Sequence, residues 1–409
     1  MAKPHPRALD GVRVLDLSRV LAGPWASQLL GDLGAEVIKI ERPGAGDDTR
    51  GWGPPFLKSA AGKATDAAYF LAANRNKKSV AVDIADPAGA EIVRRIAKTS
   101  HILLENFKVG GLKKYGLDYA SIARVNPALV YCSITGFGQT GPDAPRAGYD
   151  YMIQAMGGLM SITGQPDGAS GAEPMKVGVA VADLFSGMYA STAILAALRH
   201  AERTGQGQHV DVALFDCQIA MLANQASNYL VSGKAPGRLG NAHPNIAPYQ
   251  VFVTADGHVV IAVGNDGQFE SFARAIGLPA LAEDARYKTN RDRVAARETL
   301  TDAIAPAMRA RTTKDWLAAM EEAGVPAGPI NRIDQVFAEP QAIARGMTAP
   351  VARDDAAGAA MVVHPVKYSA TPAVADLPPP QLGSHTDEVL SAFAPAGEIA
   401  ALRARGVVG

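Results

Sequence analysis

The chain reads as an α/β protein, with a Rossmann-like parallel sheet in a large domain and a smaller α+β domain beside it. Three observations predict this. Short branched apolar segments alternate with helical patterns over roughly the first half of the sequence. A hairpin signal, Asp256-Gly257, then opens a stretch of different texture. Finally, 409 residues exceed what one ordinary core organises.

In order, VRVLDL (12–17) is a first buried strand, followed by a turn and a helix to 33 with Pro24 in its first turn. EVIKIE (36–41), KSVAVDI (78–84), HILLE (101–105) and LVYCSI (129–134) are further strands. Helices separate them at 86–100, with Pro87 in its first turn, and near 119–124. HVDVAL, from 209, leads into a helix over 216–230. A Gly/Pro/Asn-rich loop follows to Pro248, then the hairpin and helices over 268–276, 293–310 and 313–323. The tail holds a helix over 333–345, a strand-like MVVHPVKYS and a last helix over 382–393. The expected domains are therefore 1–231 (large), 232–330 (small) and 331–409 (a C-terminal segment returning to the large one).

Composition narrows the function. Forty basic residues balance forty acidic ones, so no global field draws in nucleic acid or an anionic membrane. Cys132 and Cys217 are the two cysteines, which fits a reducing, cytoplasmic setting without a disulfide framework. No signal-like start and no bilayer-length apolar run is expected. The eight histidines are scattered, so no metal is expected. Glu41 stands where a ribose-binding acid would in a dinucleotide site, but the turn SRVLAGP has one glycine, and its proline lacks the N–H a pyrophosphate would use. The topology allows NAD; the loop chemistry argues against it.

The stretch 177–205 draws most attention. VGVAVA reads as a buried extended segment, Asp183 as the N-cap of an apolar helix, and His200, Arg203 and Gly205 as its C-terminus. An aspartate there is either a plain structural cap or a carboxylate held by dipoles for use as nucleophile or base, and spacing alone leaves both open. Tyr149–Asp150 pairs a phenol with a carboxylate beside a glycine-rich loop. His243 stands in the loop NAHPNI, and NRNKKS (74–79) is either an exposed basic loop or a phosphate contact.

Several long segments carry a resemblance. LDGVRVLDLSRVLAGPWASQLLGDLGAEVIKIERPGAGDDTRGW, NRNKKSVAVDI, LLENFKVGGLKKYGL, YCSITGFGQTGP, RAGYDYMIQAMGGLMSITG, VADLFSGMYASTAILAAL and LGSHTDEVL, in this order from about Leu9 to Leu390, resemble the class III CoA-transferases. That family includes formyl-CoA transferase, carnitine CoA-transferase and the 2-methylacyl-CoA racemases. Within it, GNAHPNIAPYQVF, RAGYDYM, YKTNRDRV and GVPAGPINRIDQVFAEPQ look most like the succinyl-CoA:glutarate (hydroxymethylglutarate) CoA-transferases.

The resemblance implies that Asp183 is the catalytic nucleophile, with Tyr149, Asp150 and His243 as assisting candidates. It places CoA contacts on Arg19, Val20, Arg42, Asn74, Lys77, Asn106, Phe107 and Lys114. It implies acyl-CoA and free acid as substrates with no further cofactor, and an open-ring chain in an interlocked homodimer. Tyr149 stands where the racemases carry a histidine base, and a phenol is a poor proton abstractor at neutral pH. The expected activity is CoA transfer to a dicarboxylate such as glutarate. The alternatives are a 2-methylacyl-CoA racemase, a CoA hydrolase and a non-catalytic CoA- or nucleotide-binding protein.

Overall fold

The branched apolar segments become six parallel strands: β1 (Arg13–Asp16), β2 (Glu36–Glu41), β3 (Lys77–Ala81), β4 (Ile102–Glu105), β5 (Val130–Thr135) and β6 (His209–Ala213). Their spatial order is β3-β2-β1-β4-β5-β6, all neighbours parallel. Such a sheet needs both faces covered, and every residue of β4 and β5 is buried. The computed structural model describes residues 7–59, 61–356 and 358–409.

Helices α1 (Ala22–Asp32), α2 (Pro87–Lys98), α3 (Tyr119–Val125), α4 (Asp150–Met156), α5 (Val181–Thr204) and α6 (Leu214–Met221) belong to the unit built on this sheet. On one face, Val14, Val37 and Leu104 meet Ala26 and Leu30 of α1 and Ala190 and Ile194 of α5. On the other, Leu15, Ile38 and Leu103 meet Ile92 and Ile96 of α2 and Leu402 near the C-terminus. Asp86 caps α2, accepting from the Ala88 N–H at 2.8 Å, with Pro87 at the first helical position as the sequence predicts.

The chain divides into two units: residues 7–157, 178–222 and 340–409, and residues 158–177 and 223–339. These divisions differ from the expected breaks at 231/232 and 330/331. The reason for the first is local: the helix expected over 216–230 is two, α6 and α7 (Ala223–Ser232), separated where Ala223 takes φ +45°. The tail joins the first unit through side-chain and edge pairing: the Ala81 N–H donates to Thr386 Oγ1 at 3.0 Å, and Val82 bridges Val408.

In the second unit, β7 (Tyr249–Val253) and β8 (His258–Ala262) form the expected hairpin, and β9 (Ala327–Pro329) extends it. Helices α8 (Asp266–Ala275), α9 (Arg297–Met308) and α10 (Thr313–Glu322) cover it, with Phe269, Phe272, Ile304 and Trp316 in its core. The helix expected over 293–310 is broken at Ala296, after a short capped turn at Asn290–Ala295. The one expected over 333–345 breaks at Glu339, which Pro340 forces into extended backbone.

Three expectations that bear on 177–205 are overturned, the N-cap at Asp183 among them. VGVAVA forms no strand: 178–180 is irregular, Val179 is exposed, and the last two residues are already helical. Helix α5 is also long and apolar enough to cross a membrane by length and composition, contrary to the expectation of no such run. Within this unit its inner face is spent on packing against α1. Its end is as expected, with Gly205 at φ +72° closing the last turn onto Ala201 O.

Close approach of α5 to α1 rests on Gly187, where an added Cβ would lie 2.7 Å from the Ala22 carbonyl oxygen. Gly187→Leu is expected to lower stability by about 1–3 kcal/mol through overpacking, more than the ~1 kcal/mol that helix propensity returns. Urea unfolding of the two proteins measures the difference.

Candidate active site

At the turning point of the strand order, between β1 and β4, the loops leaving the two carboxyl ends face each other, which is where α/β sheets hold ligands. Asn106 ties them together: its Oδ1 accepts from the Arg19 N–H at 2.9 Å and its Nδ2 donates to the Arg19 carbonyl at 2.7 Å. The loop is also held from below. Asp16 Oδ1 accepts from the Ser18 N–H at 2.8 Å, Lys39 Nζ donates to the Ser18 carbonyl at 2.8 Å, and Asp47 Oδ1 accepts from the Val20 N–H at 3.2 Å. Lys39 and Asp47, both fully buried, pair at 2.9 Å. Burial opposes charge on Asp47, yet Lys39 and the Thr49 N–H and hydroxyl hold its carboxyl down at about 2.

This clamp enforces an unfavourable backbone. Val20 sits at φ +71°, in the left-handed region where a β-branched residue is strained by on the order of 1–3 kcal/mol. The other non-glycine residues with positive φ among the described residues are Asn76 and Ala223.

A cleft of about 440 Å³ opens against this loop, lined by Arg19, Val20, Asn106, Phe107, Lys108, Lys114, Gly136, Arg146, Tyr149 and Asp183 among others. A neighbouring cleft of about 410 Å³ contains Arg42 and shares Arg19, Phe107 and Tyr115 with the first. The Arg19 guanidinium stands 5.6 Å from the centre of the Phe107 ring, a cation on an aromatic face. The side chain of Tyr149 reaches the cleft because its loop folds tightly: a Cβ on Gly136 would lie 2.5 Å from the Gly148 Cα.

Asp183 is not the N-cap. Helix α5 begins at Val181 with Ala180 as its cap, so Asp183 is the third helical residue. Asp150 takes the capping role instead, accepting from the Ala182 N–H at 2.8 Å through Oδ1 and from Gln154 Nε2 at 2.7 Å through Oδ2. The Asp183 carboxylate is thereby left free: among the described residues nothing hydrogen-bonds or ion-pairs with it. Burial, with the like charge of Asp150 adding to it, pushes its carboxyl up to about 7.

Two residues expected to contact CoA lie elsewhere. Asn74 and Lys77 are fully buried and line neither cleft. Lys77 Nζ donates to Asn74 Oδ1 at 3.0 Å and the Pro24 carbonyl at 2.9 Å, and pairs with Asp16 at 3.3 Å. The stretch 74–79 is no exposed basic loop, since Arg75 is buried against Asp32 and Lys78 pairs with Glu36 and Glu388. It enters a sheet covered on both faces, so its cations face carboxylates inside the unit. His243 belongs to the second unit, where its Nδ1 accepts from the Asn245 N–H and its ring lies 5.2 Å from that of Tyr249.

Three features escaped the sequence reading. Tyr69 lies close enough to Asp183 and Asp150 for both to add to the effect of burial in raising its phenol. Glu105, buried at the end of β4, accepts from the Phe107 N–H at 2.7 Å, and burial raises it to about 7. Asp47 reads as an ordinary turn residue capping Thr49, because the partners that set it apart, Lys39 and the Val20 N–H, come from β2 and the loop after β1. A free carboxylate on the positive end of a helix, in a cleft that cations also line, can attack an electrophilic carbonyl of an anionic ligand.

The raised Asp183 has a consequence for stability. Its folded pKa exceeds the ordinary carboxyl value, so the folded chain favours the protonated form and loses stability as pH rises from about 4 through 7. Asp183→Asn is expected to match the parent in urea unfolding at pH 4 and to exceed it at pH 8; equal stability at both pH values would contradict the burial argument.

Residues 9–386 match the model of CoA-transferase family III. The succinate–glutarate CoA-transferase of Agrobacterium fabrum is 53% identical over 383 residues, 94% of this chain and 95% of that protein. The human succinyl-CoA:glutarate CoA-transferase is 44% identical over 94% of this chain and 85% of its own length. Among solved structures, a CAIB/BAIF family protein from Brucella suis superimposes with a TM-score of 0.84 at 50% identity, covering 95% of this chain and all of that one. Together with the parallel sheet, these likenesses establish that the chain belongs to CoA-transferase family III.

Proposed function

We propose that this enzyme moves CoA between succinyl-CoA and a free dicarboxylic acid, glutarate foremost, with Asp183 as nucleophile. The acid pair is supported by the names of its relatives. The chemistry rests on one observation, the unpartnered Asp183 carboxylate facing a cleft that also carries Arg19, Lys108 and Lys114.

The Asp183 carboxylate attacks the thioester carbonyl of succinyl-CoA, forming a mixed succinyl-aspartyl anhydride and releasing CoA thiolate. The thiolate returns to the aspartyl carbonyl, giving an aspartyl-CoA thioester and free succinate. Glutarate then attacks that thioester to form a second anhydride, and the thiolate takes the glutaryl group, restoring the carboxylate. Each acyl transfer is a displacement at a carbonyl with a matched leaving group. Lys108, Lys114 and Arg42 suit the phosphates of CoA, and the Phe107 face an apolar or cation-stacked part of it. No other cofactor enters these steps.

Exposed apolar side chains support a dimer reading. Phe185, Met188 and Tyr189 of α5, Ile219 of α6 and Tyr229, Leu230 and Val231 of α7 are exposed, an apolar burden typical of surfaces that a second copy covers. An interlocked homodimer would cover them. Cys132 and Cys217, both free and buried, agree with a cytoplasmic setting.

Incubation with succinyl-CoA and glutarate is expected to yield glutaryl-CoA and succinate in equal amounts, without release of free CoA and without exchange of an α-proton in deuterated water. Asp183→Asn should lose on the order of 10³-fold or more in turnover. Thioester products followed by mass decide it: hydrolysis without an acceptor, or normal turnover by the Asn variant, contradicts the proposal. Sedimentation should give twice the chain mass.

A further inference from the structure

Residues 18–20 carry six backbone hydrogen-bonding groups, and side chains from outside those three residues bind five of them: the Ser18 N–H and carbonyl, the Arg19 N–H and carbonyl, and the Val20 N–H. A loop that only had to connect β1 to α1 would leave these groups to water. Here a buried lysine and two buried aspartates are committed to them. Buried ion pairs contribute little net stability, so their use is to fix geometry. What they fix is the strained Val20, and strain that surrounding structure over-determines collects at ligand clamps. Arg19 and Val20 are also wall residues of the Asp183 cleft.

We propose that Asp47, held by Lys39, is a positioning residue for acyl-CoA: it locks Val20 in the left-handed conformation, so the Arg19–Val20 wall of the cleft is set before the thioester arrives. The inference rests on reading this cleft as the acyl-CoA site. Without Asp47, Val20 relaxes toward ordinary φ and the binding-competent loop becomes a minor conformer, which weakens apparent affinity by the fraction lost. Glycine takes positive φ freely, so in a Val20→Gly background the lock has little left to do.

The test is a cycle of Asp47→Ala, Val20→Gly and the double variant, with Asp47→Asn as the conservative control. It reads KM for succinyl-CoA, kcat, CoA binding by calorimetry and thermal unfolding. Asp47→Ala is expected to raise KM about tenfold while kcat changes less than about threefold. Asp47→Asn, which keeps an acceptor for the Val20 N–H, should restore most of the loss. Val20→Gly also removes a wall side chain, so it sets its own reference KM and CoA affinity for the cycle, and it should unfold at no lower temperature. In its background, Asp47→Ala should raise KM by less than about threefold. An equal rise in both backgrounds, or none in either, overturns the proposal. Should Asp47→Ala not fold, the double variant is expected to, and its failure would overturn it as well. A parent enzyme that binds no CoA would instead sink the acyl-CoA reading of the cleft, whereas a parent that binds alongside unaffected variants sinks the lock alone.

Discussion

The hydrogen bond from the Ala182 N–H to Asp150 is the constraint on which the rest of the site depends. It joins α4 to the first turn of α5 and satisfies a backbone donor that the α5 N-cap, Ala180, has no side chain to meet. Because a neighbour does the capping, Asp183 is excused from it. The same contact brings a second carboxylate near the first, and with burial this keeps Asp183 poised near neutrality. One polar contact thus sets where the helix starts, which residue is free and how readily that residue takes a proton. The helix dipole works the other way, favouring the anion at this end.

Beneath the facing loop the molecule spends charge differently. Asp16, Lys39, Asp47 and Lys77 are all fully or nearly fully buried among the carboxyl ends of β1, β2 and the start of β3. Hydrophobic residues of similar volume would serve stability at least as well. What they could not do is specify, group by group, the path of residues 18–20. The two walls of the cleft therefore follow one logic: side chains from distant parts of the chain occupy backbone groups that helices and strands leave open, and a free functional group is the remainder.

Much of the architecture was legible. The five strands read from branched apolar runs, the sixth at HVDVAL, the Asp-Gly hairpin and the Gly205 helix end follow from local chemistry that tertiary context left alone. The breaks at Ala223, Ala296 and Glu339 were harder, since apolar periodicity runs through them; even Pro340, a local breaker, was passed over by the helix expected at 333–345. Asp183 could be singled out, but its place was misjudged because aspartate is a good cap and the residue that caps α5, Asp150, stands 32 positions before the Ala182 N–H it accepts from. Asn74 and Lys77 misled for the converse reason. A run of polar and basic residues reads as surface, and nothing within the run reveals the carboxylates of Asp16 and Asp32 waiting to receive it. Asp47 was invisible for the same cause, as what sets it apart from a turn residue capping Thr49 lies in Lys39 and Val20.

The central claim, that the 183 carboxylate carries the acyl group, is tested most directly by following oxygen. Glutarate labelled with oxygen-18 in its carboxylates, supplied with succinyl-CoA for a single turnover, should leave one labelled oxygen in the peptide containing Asp183, because the second anhydride breaks on the glutaryl side and hands the bridging oxygen to the protein. Label found there and nowhere else in the digested chain is the predicted result. Glutaryl-CoA formed with an unlabelled protein, or label on another carboxylate, would contradict it.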